Sequence, residues 1–498
     1  MKYTAINIGP IVKTLSLARR PRELWSASYL FSYLMKCIID KIPTECTIIA
    51  PIKGNENTLV VGLYPDRLYL SHEVDIDVKE ILNSAWEQFR NDVFPEQSFD
   101  PRDYFNLMYA SIELEGEMKN SVALKELNSL LDKLELCVFA NNPYEGKDVT
   151  QSVLNLICKK NASPLVKIVQ NEKKMPMETL AELAAVQLKK LHNIEWKRFS
   201  DDIKNEAFQG DPYDAFKGLK EYKSYHRYFC VVQADGDNMG KLVTSSEIDN
   251  AQLENVSREL WNYGLAASSI IEEYGGKAIY AGGDDLLFIA PLVGRNNKNI
   301  FELFEDIEKE FEELVKKVPQ SIIENKSDRP SLSFGVAMAY YKYPLYEVLG
   351  SAIDLLFDVA KGGIVKNKVA WKLEKNSGET FSACYSKRDT ELDAAYKELI
   401  KHTTNGELVS VAAHKLKENE VLLMKCLNAD MSNEDKETPR LDSFFKTILE
   451  ATNDNAYFNA LKKLIVSLYS AQDIKCLKTV LYAMMRTAKF IKGEDTKI

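Results

Sequence analysis

Residues 277–292 read KAIYAGGDDLLFIAPL. Apolar runs flank Gly282-Gly283-Asp284-Asp285, a pattern that predicts two strands joined by a tight turn. The two glycines permit positive φ angles and close approach of another group. Two carboxylates at the tip of a buried hairpin are costly to hold unpaired, and a divalent cation offsets that cost. Upstream, YFCVVQAD at 228–235 predicts a strand that runs into the turn Asp235-Gly236-Asp237-Asn238-Met239-Gly240-Lys241. A helix is expected over 252–274, closed by Gly275-Gly276. Downstream the spacing predicts a helix over 299–318, a strand over 331–341, a helix over 345–363 and a last strand over 369–374. The order strand–helix–strand–strand–helix–strand is ferredoxin-like.

In that topology the first strand lies beside the hairpin, which brings Asp235 near Asp284 and Asp285. Three carboxylates from adjacent strands can hold two metals about 4 Å apart, the clamp for in-line phosphoryl transfer. Mg²⁺ suits such a site because it binds through carboxylates and substrate phosphates. Asp235, Asp284 and Asp285 are therefore the candidate catalytic residues, and with Gly236 the candidate metal ligands. The candidate nucleotide-binding residues are Asp237, Asn238, Met239, Gly240, Lys241, Gly282, Gly283 and Lys361. Lys361, in DVAKGG and followed by Lys366 and Asn367, could neutralise a triphosphate from a helix end. A solvated helix end is an equal reading for it. Alone, GGDD could be a polar hairpin turn. DGDNMG alone could be a calcium-type loop, although it lacks the downstream glutamate. Both motifs at strand ends of one unit, in the right order, favour the metal reading.

The N-terminal part repeats the pattern without the acids. Residues 2–8 predict a strand, Gly9-Pro10 a break and 11–41 a long helix, with strands over 46–52 and 58–64. From about 76 to 217 the periodicity is mostly helical, and 388–498 reads as helices only. The expected fold class is α+β, divided into 1–115 (ferredoxin-like), 116–222 (helical), 223–380 (ferredoxin-like, with GGDD) and 381–498 (helical).

The chain has 498 residues, room for two to four domains. Its net charge of −9 argues against strong binding of bare nucleic acid, which needs clustered Lys and Arg. No apolar run approaches a membrane span. The N-terminus MKYTAINIGP lacks a signal-peptide core. Eight cysteines without a C-x-x-C pair give no zinc knuckle and suit a reducing cytoplasm. The five histidines are scattered and form no H-E-x-x-H or His-Asp doublet. They read as structural or surface residues.

DGDNMGK at 235–241 and AGGDD at 281–285 resemble the second, catalytic palm of the large polymerase-like subunit of type III CRISPR effector complexes, most closely the Cmr (III-B) version. IGPIVKTLSLARRPRELWSASYLFSYL at 8–34 is similar to its first palm. LYPDRLYL at 63–70 is similar to a Pro-Asn-Arg segment after the third strand, with Asp66 replacing Asn. The resemblance implies two facing palms, nucleotidyl cyclase- or polymerase-like, with a helical insert and helical C-terminal domain. It implies partners too: other Cmr subunits, guide RNA, and target RNA as activator. The implied activity is synthesis of a cyclic oligoadenylate second messenger from ATP with Mg²⁺ or Mn²⁺. Asp284 and Asp285 match the family's metal-binding pair, Asp235 its strand-end ligand, and Lys361 the lysine that related cyclase palms direct at the triphosphate. Arg19, Arg20 and Arg22 are placed near the first palm's nucleotide. The HD nuclease domain and zinc-binding cysteines of many members are absent from this sequence, so neither DNA cleavage nor zinc is expected. Subunits of this HD-less kind include ones similar to those that join ATP to S-adenosylmethionine, which leaves the acceptor open. A silent scaffold subunit and a stand-alone diguanylate cyclase-like enzyme are the alternatives from other classes.

Overall fold

The computed structural model describes residues 1–54, 61–95, 101–114, 119–141, 147–158, 165, 179–318, 329–432, 438–450, 455–471 and 477–494. It contains two sheets. The first is built from β1 (Lys2–Gly9), β2 (Thr47–Ala50), β3 (Arg67–His72) and β4 (Asn106–Glu113), in the order β2-β3-β1-β4 and antiparallel throughout. Helices Pro21–Asp40 and Val78–Val93 pack together, burying Trp25, Phe31, Trp86 and Phe89. Asp77 caps the second of these by accepting from the amides of Lys79 and Glu80.

The second sheet holds β5 (Tyr228–Asp237), β6 (Lys277–Gly282), β7 (Asp285–Pro291), β8 (Ser331–Tyr340), β9 (Lys368–Glu374) and β10 (Thr380–Ser386). Its order is β10-β9-β8-β5-β7-β6. Only β8 and β9 run parallel among these pairs. The core strands β5, β6, β7 and β8 keep the ferredoxin-like order, so the α+β class holds for both units. Helix Asn250–Tyr274 enters through an Asp249–Gln252 capping box and stops at Gly275, whose φ is +110°.

Five details differ from the sequence expectation. The helix expected over 11–41 is two, Ile11–Leu15 and Pro21–Asp40, because Pro21 forces Arg20 into extended backbone. Of the strand expected over 58–64, residues 58–60 lie outside the described residues. Residues 61–64 form no strand, and the third strand is β3 instead. β4 interrupts the stretch read as helical; it pairs with β1 but is largely half-exposed, so its apolar pattern is faint. β10 carries the second sheet past residue 380. The expected helix over 345–363 is α-helical only to Asp354, then forms a π-turn from Leu355 to Ala360.

The two sheets are joined by the segment before β3. The Ala281 amide donates to the Gly62 carbonyl at 2.9 Å, and Gly62 bridges to Tyr280. The rings of Tyr64 and Trp261 lie 5.0 Å apart. A Cβ on Gly62 would stand 3.2 Å from Ser32 Cβ, so glycine lets this segment lie against helix Pro21–Asp40 without pushing it back. The C-terminal helices cover the far end of the second sheet. Trp371 of β9 stacks on Tyr396 and donates to Thr487 at 3.2 Å. Among the described residues no helix is long and apolar enough to cross a membrane.

Candidate active site

The strand ladder assembles the acids. β5 pairs with β7 with Ala234 opposite Leu286, so the next position along each strand sets Asp235 beside Asp285. Asp284 reaches the same place from the hairpin tip, where Gly283 has φ +68°. Asp284 lies against Gly236: a Cβ there would collide with its carboxylate and come within 2.7 Å of its Cβ. Glycine at 236 is thus required for Asp235 and Asp284 to be neighbours.

Lys361 supplies the nearby positive charge. Its ammonium contacts Asp235, donates to the Gly236 carbonyl at 2.9 Å and lies 4.0 Å from Asp237. This excludes the solvated helix end: the Lys361 side chain is only 16% exposed. One cation against three neighbouring carboxylates leaves negative charge in excess. Burial, reinforced by Asp235, pushes Asp284 up to about 7. Burial, with Asp235 and Asp284, holds Asp285 well above the usual carboxylate range. Burial also raises Asp235, opposed by Lys361.

This donor set fits a hard divalent cation, which would neutralise the surplus charge. It is not a closed ligand shell. Among the described residues no group of three or more His, Cys, Asp or Glu is arranged to hold a metal, and Lys361 engages Asp235.

Asp284 and Asp285 open onto a cleft of about 280 Å³ between the two sheets, and Asp235 and Lys361 stand behind them outside its lining. Leu63, Leu124, Leu260 and Trp261 form apolar walls, and Met239, Gly240, Gly282 and Gly283 line it as well. Asp66 enters from the first unit and faces Asp285 and Tyr280 electrostatically; burial pushes its carboxyl up. Neighbouring Arg67 is engaged elsewhere. It donates to Asn128 at 2.9 Å and to Asp132 at 2.7 Å, fastening helix Asn120–Asn141 over the cleft. Arg67 fell within the quoted LYPDRLYL without a role of its own, and Asn128 and Tyr263 were not singled out from the sequence. The Tyr263 hydroxyl is buried beside Asp284 and Asp285 with no hydrogen-bond partner in the structure. Nothing in its helical context marked it out.

The other candidates separate. Asp237 does not face the cleft, contrary to its assignment as a nucleotide contact. It is buried, accepting from Ser331, Ser333 and the Asn367 amide. Asn238, at φ +63°, turns the chain into Met239–Val243. Lys241 is exposed and does not line the cleft. Arg19, Arg20 and Arg22 stand at the start of helix Pro21–Asp40, away from the cleft lining. Lys366 donates to the Lys361 carbonyl. His226 is buried and bonded to Gln187, a structural role. The described cysteines are free thiols.

Two ferredoxin-like sheets sharing a cleft, with strand-end carboxylates on one of them, define a palm-domain protein of the polymerase and cyclase type. Residues 228–370 match the family model described as Cas10/Cmr2, second palm domain, and residues 3–91 that of CRISPR-associated protein Cmr2, N-terminal. These two regions of the chain are thus similar to the two corresponding parts of Cas10/Cmr2 proteins. Among curated proteins, the CRISPR system Cmr subunit Cmr2 of Pyrococcus furiosus is 30% identical over 188 residues, covering 32% of this chain and 20% of that protein. The match thus spans about a fifth of the relative's length. Among solved structures, the type III-B Cmr-beta complex in its apo state aligns with TM-score 0.60 and 11% identity, over 99% of this chain and 82% of the other. The same complex bound to cognate target RNA gives 0.59 and 12%, over 99% and 83%. The apo Csm1–Csm4 cassette gives 0.50 and 14%, over 99% and 70%. At these identities the likeness is one of fold.

Proposed function

We propose that this chain is the large subunit of a type III-B RNA-guided antiviral complex and, once target RNA is bound, joins nucleotides into a second messenger. Other Cmr subunits and the guide RNA are its partners, and the cytoplasm its place of work. One observation carries the reading: Asp235, Asp284 and Asp285 meet at strand ends, in charge excess, with Asp284 and Asp285 lining a cleft shared with a second palm. A structural turn has no need of three close carboxylates. The donor is ATP, and Asp235, Asp284, Asp285 and the Gly236 carbonyl would hold Mg²⁺ or Mn²⁺. When bound, the cation supplies charge neutralisation for the triphosphate and the departing pyrophosphate.

The chain's own residues do the rest. Gly282 and Gly283 keep the hairpin tip narrow, so a phosphate can come close to the backbone. Lys361 leaves Asp235 for the triphosphate, exchanging one anionic partner for another. The apolar walls exclude water, which strengthens every charge interaction inside. The first palm presents the acceptor. With adenosine nucleotides as acceptors the product is a cyclic oligoadenylate.

A second reading of the acceptor rests on Asp66. A half-buried carboxylate opposite two more favours an acceptor that brings positive charge, as S-adenosylmethionine does through its sulfonium and ammonium groups. Mass spectrometry of products from ATP, with and without S-adenosylmethionine, separates the two. No pyrophosphate from the assembled, target-bound complex would leave a silent scaffold.

A further inference from the structure

The turn after β5 holds a carboxylate that the reaction above does not use. Asp237 has a fully buried side chain. Its Oδ2 accepts from Ser331 at 2.8 Å, Ser333 at 2.9 Å and the Asn367 amide at 2.9 Å. Its Oδ1 faces Ser333 at 3.0 Å and the Lys361 ammonium at 4.0 Å. So one oxygen moors a loop and the other faces the lysine at the loop's start. That loop begins at Lys361, passes Gly362, Gly363 and the fully exposed Ile364, and ends at Asn367, where φ is +62°. Beyond it, the Lys387 amide donates to the Asn367 carbonyl at 2.8 Å, and Ser386 to the Lys366 carbonyl at 3.2 Å. The loop's end is therefore pinned to the sheet, while its start follows a π-turn. Such turns are less regular than α-helix and concentrate at functional sites.

We propose that Asp237 is a positioning residue that gives Lys361 a second anionic anchor, so the ammonium can release Asp235 without leaving the site. This rests on the nucleotidyl-transfer reading for its purpose. Its geometry stands apart from it. A lysine held by Asp235 alone would have to break its one ion pair before meeting a triphosphate. A lysine held between two carboxylates can tilt from one toward a ligand while the other retains it. Asp237 touches no substrate in this scheme.

The variant Asp237→Asn isolates this role. Its amide oxygen can still accept from the Asn367 amide and the serines, while its NH₂ replaces the oxygen facing Lys361. The loop stays moored, and the attraction is lost. Acylation of the full-length chain with acetic anhydride, read by mass spectrometry, reports each lysine without metal or nucleotide. Lys361 is expected to label about fivefold faster in Asp237→Asn, with Lys366 and Lys368 unchanged. Faster labelling of all three would mean only a loosened loop and would overturn the proposal, as would no change at Lys361. In the complex making product, Asp237→Asn should raise the KM for ATP about fivefold with little change in kcat, and have no further effect in Lys361→Met. Additive effects would overturn the proposal. A complex that makes no product sinks the nucleotidyl-transfer reading, and the labelling still decides the role of Asp237.

Discussion

Gly236 and Asp284 are packed against each other across the second palm, with no room for a Cβ between them. The contact joins the turn after β5 to the GGDD hairpin. Gly236→Ala should push the hairpin tip off Asp235 while leaving the strands in place. Overpacking of this kind costs about 1–3 kcal/mol. A modest fall in melting temperature with near-complete loss of product is the expected outcome. Retained turnover would show that the aspartates need not be so close.

The charge excess has a consequence for stability. Asp284 keeps its proton up to about pH 7 against 3.8 as its ordinary value, mainly through burial. The folded state therefore holds that proton more tightly than the unfolded chain. The penalty is absent below about pH 4, grows as pH rises and is complete above about pH 7, at most about 4 kcal/mol. In chelator, the melting temperature should fall between pH 5 and pH 8. Asp284→Asn should flatten the fall, and Mn²⁺ should reverse it in the wild-type chain only. A wild-type melting temperature independent of pH and Mn²⁺ would contradict the charge-excess account.

These acids were legible in the sequence because two motifs fell at the ends of strands that one topology makes neighbours. Asp237 was not, because its partners, Ser331 and Ser333, lie far downstream on β8 and carry no sequence sign of their role. β10 was missed for a similar reason. TFSACYS alternates exposed and buried positions but is short and lies just before the segment expected to be helices only. The link between the palms was also hidden. Gly62 looked like part of a strand, whereas its backbone bridges to Tyr280 and its smallness lets it pack on Ser32.

Trp261 carries much of the contact between the palms, buried against Tyr64 and lining the cleft. Trp261→Ala should lower unfolding stability by about 3–5 kcal/mol. Denaturant titration measures it. An unchanged midpoint would mean that the palms are held together elsewhere.

Asp66 bears on the acceptor. Asp66→Asn removes a half-buried carboxylate without changing size. If the acceptor is cationic, the variant should lose conjugate made with S-adenosylmethionine, about tenfold for one charged contact. It should keep any oligoadenylate synthesis. Equal loss of both products would assign Asp66 a structural role. Product ratios by mass spectrometry decide it.

The most direct test is pyrophosphate release by the assembled complex given ATP, Mn²⁺ and target RNA. Wild type should release it only with target RNA present, and Asp284→Ala with Asp285→Ala should abolish release while the complex still assembles. Equal release from the double variant, or none from wild type, would contradict the account.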